Sequence, residues 1–100
     1  NFIPLVTLST EWEQVFAESI IENGEERQLS MAPSQLQSFI NNVRTVMDDY
    51  SEKGESPVML TSPAIRPFVR SIVERFRPET EIMSQNEIHP KAKIKTLGQI

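Results

Sequence analysis

Cysteine is absent from the 100 residues of this sequence. Disulfide bonds, thiolate catalysis and cysteine-ligated zinc or iron–sulfur centres are therefore excluded, and a reducing compartment is compatible with the chain. Long apolar runs are also absent, since none approaches the roughly 20 residues of a membrane-spanning helix, and no signal peptide opens the sequence. We expect this piece to be soluble and, because it begins at Asn1 without an initiator methionine, to be a fragment of a larger protein.

Histidine and glycine are scarce. The single histidine, His89, lies beside Pro90 in a polar segment, so a catalytic or metal site would have to be built around it alone. The three glycines form no phosphate-binding loop, which leaves nucleotide binding without support. The residues therefore predict no catalytic, cofactor-binding or metal site, and we expect the protein not to be an enzyme.

Charge is small in sum but uneven along the chain. The formal net charge is −4, which disfavours nucleic acid as a partner. Residues 1–63 carry three basic and ten acidic side chains, a balance of −7, whereas residues 64–100 carry seven basic and four acidic, a balance of +3. The length and the 38% hydrophobic content indicate a single domain, residues 1–100, with one modest core.

Residues 57–88 form the segment around which we expect the rest of the chain to pack. Residues 58–60 are apolar without interruption, which is typical of a strand covered on both faces and predicts a central strand. Ser62 stops this strand and is a candidate cap of the following helix. Because Pro67 would remove a hydrogen bond from a regular helix, we expect a loose turn at residues 63–66 and the helix from Pro67 onward.

This helix is predicted to end before Pro78, where residues 82–83 start a strand parallel to the first, joined to it by a right-handed crossover. Its apolar residues recur at three- and four-residue spacing, namely Ile65, Phe68, Val69, Ile72, Val73 and Phe76. We expect this face to pack on the sheet. The residues expected to be buried are Phe68, Val69, Ile72 and Phe76.

The remaining elements follow from the same patterns. They are a strand at residues 2–8, a helix from Thr10 that Asn23 and Gly24 end, a brief strand at residues 28–32, a long helix from Pro33 to Gly54 and a lysine-edged strand at residues 92–97. Thr10 and Glu13 have the spacing of a capping box. The order β-α-β-α-β-α-β-β predicts a small α/β domain of two or three layers, in which three helices pack on a mostly parallel or mixed sheet of four to five short strands.

A polar rim is the candidate functional surface. It comprises Arg66, Arg70, Gln85, Asn86 and Glu87. Binding in open α/β sheets gathers beyond the carboxyl ends of the strands, and the loops that leave the two strands of residues 57–88 should be neighbours there. A partner could contact this rim, or Glu87 could simply pair with an arginine and hold its loop.

A small anion-binding or enzymatic domain is the alternative. Ser62, Arg66 and Arg70 could form an anion pocket at a helix start, because free N–H groups and guanidiniums both favour negative charge. A concave pocket on which these three side chains converge would support that hypothesis.

The sequence resembles the bacterial type III export-gate family, FHIPEP, which serves flagellar export and virulence injectisomes. The resemblance rests on PVMLTSPAIRPFVRSIVERFRP at residues 57–78 and IMSQNEIHPKAKIKTLGQI at residues 82–100. IPLVTLSTEWEQ at residues 3–14 also fits, so the likeness covers nearly the whole chain. The sequences TSPAIRPFVR and LGQI favour a flagellar member of the family.

The resemblance implies that residues 1–100 are the C-terminal cytoplasmic subdomain of a larger membrane protein, at the cytoplasmic face of the bacterial inner membrane. It implies a non-enzymatic component of the export gate that assembles into a homo-oligomeric ring. The expected partners are other export-apparatus proteins, export chaperone–substrate complexes and the export ATPase complex. The resemblance assigns no cofactor.

Overall fold

The fold of residues 2–100, the part described by a computed structural model, is an α/β arrangement in two layers. Its elements in chain order are β1 (Ile3–Thr7), α1 (Thr10–Ser19), β2 (Ile20–Asn23), β3 (Glu26–Leu29), α2 (Pro33–Glu52), β4 (Val58–Thr61), α3 (Arg66–Val73), β5 (Ile82–Ser84), a 3₁₀ helix (Gln85–Glu87) and β6 (Ile94–Gln99). The α/β class is therefore confirmed.

A parallel sheet with strand order β5-β4-β1-β6 organises the domain. The apolar run predicted as a central strand is β4, which lies inside the sheet between β5 and β1. The parallel pairing of β4 with β5 is confirmed as well. The last strand begins two residues later than predicted and occupies the edge beside β1.

The helices cover one face of this sheet. Val6, Met59 and Ile82 are register neighbours on β1, β4 and β5, so their side chains point to the same side. They share one buried core with residues of α1, α2 and α3, among them Phe16, Phe39, Val43, Met47, Val69 and Val73. The helices therefore lie together on that side, which selects two layers over three.

The opposite face of the sheet is apolar as well. Leu5 points to that side and is fully buried, whereas Val58, Leu60 and Met83 are half-buried and Ile94 is 47% exposed. Because β5 and β6 run parallel at opposite edges, their connection has to cross the sheet, and the right-handed rule for parallel strands predicts that it lies on this face, which carries none of the three α-helices and is called the helix-free face. The burial of Leu5 shows that the centre of the face is covered.

A β-hairpin stands where part of the first helix was expected. The prediction that this helix continues to Asn23 was wrong, because α1 ends at Ser19 and Ile20 begins β2, which pairs antiparallel with β3. The strand predicted at residues 28–32 lies instead at Glu26–Leu29, and it joins the hairpin, not the main sheet. Gly24 has φ +69° at the first turn position, as a two-residue hairpin turn requires.

The two remaining helices begin where their prolines indicate. α2 starts at Pro33, and α3 starts at Arg66 with Pro67 in its first turn, after the loose turn that we expected. Gly54 follows α2 in the left-handed region, with φ +80°, and ends it. Within residues 2–100 no helix combines the length and the apolar character needed to cross a membrane.

The predicted burial of the α3 face is half right. Val69 and Ile72 are buried, but Phe68 and Phe76 are only half-buried. α3 ends at Val73, so Phe76 leaves the helical stripe and lies in the turn beyond it. Each of the two rings carries an arginine guanidinium over its face, which is how a half-exposed aromatic ring is commonly covered.

Candidate functional site

The carboxyl ends of β4 and β5 bring the predicted rim together. Thr61 and Ser84 are partners in the parallel register, so the loops that follow them leave the same edge of the sheet. The expectation that the two loops are neighbours is confirmed. Arg66 opens α3 after the first loop, and Glu87 ends the 3₁₀ helix of the second.

Glu87 ties the two loops into one unit. Its Oε1 accepts hydrogen bonds from the backbone N–H of Ser84 at 3.0 Å and from the Ser84 hydroxyl at 3.2 Å. The Arg66 guanidinium forms an ion pair with the same carboxylate oxygen. The Ser84 N–H foremost, then the Ser84 hydroxyl and the Arg66 charge, lower the pKa of Glu87 below its ordinary value.

Ser62 is held by α1 and is not a side-chain cap of α3. Its backbone N–H and its hydroxyl donate to the two carboxylate oxygens of Glu13, at 2.9 and 2.6 Å. The cap of α1 is Ser9, whose hydroxyl accepts from the Trp12 N–H at 3.2 Å, so the capping box predicted for Thr10 and Glu13 was wrong. A carboxylate that accepts hydrogen bonds from a serine 49 residues away cannot also fold back onto its own helix start.

A polar cleft of about 390 Å³ lies beside the rim, and Ser62 is outside it. Arg66 and Arg70 line the cleft together with four carboxylates, those of Glu74, Glu79, Glu81 and Glu87. The Arg70 Nε lies 3.8 Å from the Glu74 Oε2, and Arg66 is paired with Glu87. Each guanidinium of the cleft therefore has a carboxylate beside it. The three side chains of the predicted anion pocket therefore do not converge, and the sum of charge around the cleft opposes anion binding.

The other two rim residues, Gln85 and Asn86, lie outside the cleft lining and are exposed on the 3₁₀ helix. Their side chains are open to a partner molecule. His89 is exposed, and its Nδ1 accepts the Lys91 N–H at 3.0 Å. Within the described residues no group of three or more histidine, aspartate or glutamate side chains is arranged to hold a metal ion.

A second concave surface contains none of the residues that the sequence predicts as functional. It is a groove of about 480 Å³ between β3, the start of α2 and α3. We call it the arginine-rimmed groove, and its lining residues are Arg27, Gln28, Leu29, Met31, Leu36, Phe68, Ser71, Ile72 and Arg75. The signal that could have indicated it is the pair of adjacent β-branched residues Ile20 and Ile21 followed by Gly24, which favours a hairpin after α1.

Comparisons with known proteins assign almost the whole chain to one family. Residues 1–93 match the FHIPEP family. Flagellar biosynthesis protein FlhA of Caulobacter vibrioides is 54% identical over 98 residues, which cover 98% of this chain and 14% of that protein. Low calcium response locus protein D of Yersinia pestis is 25% identical over 100 residues, which cover 100% of this chain and 14% of that protein. The chain thus spans about 14% of the length of these relatives.

Solved structures share the fold. The Chlamydia pneumoniae CdsV protein superposes with a TM-score of 0.86 at 25% identity, over 99% of this chain and 28% of that chain. In a complex of CdsV with CdsO, the similarity has a TM-score of 0.82 at 24% identity, over 99% of this chain and 29% of that chain. The two-layer fold described above is therefore also that of a region within a larger protein.

Proposed function

This chain belongs to the FHIPEP family, and from that premise we propose that it is a non-catalytic module of a bacterial type III protein-export apparatus, of the flagellar kind. The observation that carries the proposal is the 54% identity to a flagellar biosynthesis protein over almost the entire chain.

We further propose that the module works at the cytoplasmic face of the inner membrane, as part of a longer membrane protein that assembles into a ring. Its partners would be other export-apparatus proteins, chaperone-bound substrates and the export ATPase complex. Support comes from the solved complex of CdsV with CdsO, in which a protein of the same fold has a partner. No observation favours the alternative of an anion-binding enzyme, since the Ser62 hydroxyl donates its hydrogen bond to the Glu13 carboxylate.

The docking surface proposed for these partners is the rim predicted from the sequence. Arg70, Gln85 and Asn86 are exposed there, while Arg66 and Glu87 hold the two loops in place. A partner that contacts the exposed three would meet a surface whose backbone is fixed beforehand, which lowers the entropic cost of binding.

The test uses the full-length protein in a flagellated bacterium. We expect Arg70→Glu combined with Gln85→Glu to reduce swimming and the secretion of flagellar proteins, and to weaken capture of purified chaperones or ATPase components by about tenfold. Arg44→Glu, an exposed charge reversal on α2, is the control for reversal of an arginine elsewhere on the surface. Wild-type capture and wild-type motility in the double variant would remove the rim from the proposal. Wild-type motility after deletion of residues 1–100 would end the export role itself.

A further inference from the structure

The arginine-rimmed groove presents apolar side chains that the fold leaves half-covered. Leu29 of β3, Met31 before α2, Leu36 of α2 and Phe68 of α3 are each half-buried, and Ile72 lies beneath them at 8% exposure. These side chains come from separate elements and form one continuous floor.

Charge at the groove is of one sign. Arg27 and Arg75 lie at its edges, and the other polar lining residues, Gln28 and Ser71, are neutral. Within residues 2–100 neither arginine is in an ion pair, although Glu22 lies across the hairpin from Arg27. The polar cleft beside the rim differs in this respect, because each of its arginines has a carboxylate beside it.

Arg27 also shapes the floor. Its guanidinium carbon lies 5.8 Å from the centroid of the Phe68 ring, so the charge rests over the aromatic face. A guanidinium in this position keeps its N–H groups free at the edge, where they can bind a carboxylate in a fork geometry. The apolar floor and the N–H donors at the edge of the groove thus face the same occupant.

We propose that the arginine-rimmed groove binds an acidic amphipathic helix of a partner protein. The apolar side chains of the floor come from three elements, and β3 contributes only Leu29 to them, so the floor suits a ligand that presents apolar side chains at helical spacing. Carboxylates that flank those apolar residues would pair with Arg27 and Arg75. Met31 adds a flexible side chain that adapts to the shape of the inserted residue. This surface is separate from the rim, and the inference does not depend on the export role.

The probe is a fluorescent peptide of about 16 residues with leucines on one helical face and glutamates elsewhere. We expect it to bind the 100-residue chain with an affinity that falls as salt is raised, because exposed charges are screened. Arg27→Glu and Arg75→Glu should each weaken binding about tenfold in fluorescence anisotropy. The same peptide with lysine in place of glutamate should bind at least about tenfold more weakly than the acidic one.

The chain offers matched controls for both charge and position. Arg44 lies over Phe76, 5.1 Å from the ring centroid, in the same kind of contact but away from the groove, so Arg44→Glu should bind the peptide like the wild type. In a methyl NMR spectrum the Met31 resonance should shift on binding. That of Met83, half-buried on the helix-free face, should stay in place.

Several outcomes would overturn the proposal. These are the absence of peptide binding, equal binding of the lysine peptide, an equal loss in Arg44→Glu and an unmoved Met31 resonance. Sedimentation of the chain without peptide adds one more: self-association that Arg27→Glu abolishes would make a second copy the occupant. If a glutamate variant unfolds in circular dichroism, Arg27→Gln and Arg75→Gln replace it and should still weaken binding.

Discussion

At the scale of single residues, the contact between Glu13 and Ser62 fastens α1 to the turn that precedes α3. Both side chains are half-buried, and the carboxylate receives two hydrogen bonds from a residue 49 positions away. Hydrogen bonds to a charged group contribute about 1.5–3 kcal/mol. We therefore expect Glu13→Ala to lower the free energy of unfolding by about 1–3 kcal/mol in urea denaturation.

Ser62→Ala should cost less, about 1 kcal/mol, because the backbone N–H still donates to Glu13. The exposed Glu11 on the same helix is the control, and Glu11→Ala should change the stability by less than about 0.5 kcal/mol. Equal effects of Glu11→Ala and Glu13→Ala would mean that the contact contributes nothing.

The Glu87 carboxylate gives the rim a dependence on pH. Its pKa is lowered below 4.5, chiefly by the Ser84 N–H and also by the Ser84 hydroxyl and Arg66. A group whose pKa is lowered by folding stabilises the fold above its unfolded pKa, and this stabilisation is lost as the pH falls through the folded value. We expect Glu87→Gln to be less stable than the wild type at pH 6 and the difference to shrink as the pH is lowered from 6 through the lowered pKa of Glu87.

Urea midpoints of the two proteins across that pH range make the measurement, and the amide resonance of Ser84 reports on the loop directly. In the wild type this resonance should move as Glu87 is protonated, and in Glu87→Gln it should not. A stability difference that is constant with pH would show that the carboxylate charge has no part in holding the loops.

The rim could be predicted from the sequence because it depends on a general rule of parallel sheets. Once β4 and β5 were recognised as parallel neighbours, their carboxyl ends had to meet, and Arg66 with Glu87 followed. The contact of Glu13 with Ser62 could not be found in this way, because it depends on how α1 crosses the sheet. The local spacing of Thr10 and Glu13 indicated a different and incorrect role.

At the scale of elements, α2 and β6 approach closely at a glycine. The Tyr50 hydroxyl donates to the Leu97 carbonyl at 2.6 Å, and a Cβ on Gly98 would lie 2.5 Å from the Tyr50 Oη. Gly98→Ala should therefore destabilise the domain by about 1–3 kcal/mol, which thermal unfolding would detect as a lower Tm.

Removal of the hydroxyl should relieve this overlap, since the nearest ring carbon of Tyr50 would be an ordinary 3.5 Å away from the new methyl group. Tyr50→Phe alone should cost about 1 kcal/mol through the lost hydrogen bond. We expect Gly98→Ala to be milder in the Tyr50→Phe background than in the wild type. Strict additivity in this double-mutant cycle would show that the two elements do not meet as described.

The β2–β3 hairpin shows where reasoning from local patterns fails for elements. Val15, Phe16 and Ile20 keep helical spacing, which predicts a helix that continues through Ile20, whereas the structure begins a strand there. Adjacent β-branched residues, Ile20 and Ile21, favour a strand, and the following Gly24 permits the turn. In a segment of four residues the helical spacing of apolar residues cannot be distinguished from the alternation of a strand. Here the glycine that permits a tight turn favours the hairpin.

At the scale of the whole molecule, the parallel sheet was predictable and the number of layers was not. The run Val58-Met59-Leu60 indicated a strand covered on both faces, and helices on both sides would have satisfied it. In the structure the helices cover only one face of this strand. They bury Met59, while Val58 and Leu60 face the helix-free side and stay half-buried. Apolar sequence alone does not reveal what covers a face.

The arrangement of the two sheets predicts how the domain opens. β1 and β4 are hydrogen-bonded on both sides and contribute the fully buried Leu5, Val6 and Met59, whereas the hairpin has only its own two strands and exposes most of its residues. Local opening free energies follow such differences in burial and pairing. Native-state hydrogen exchange should therefore show the slowest amides in β1 and β4.

The hydrogen-bonded amides of β2 and β3 should exchange through openings that cost less than global unfolding, and low denaturant concentrations should not change their rates. Those of β1 should approach the global free energy of unfolding and accelerate as denaturant exposes the core. If the hairpin amides were as slow as those of β1, the hairpin would have to open only with the whole domain. That result would contradict a β-hairpin that is attached to the helix layer but not hydrogen-bonded into the main sheet.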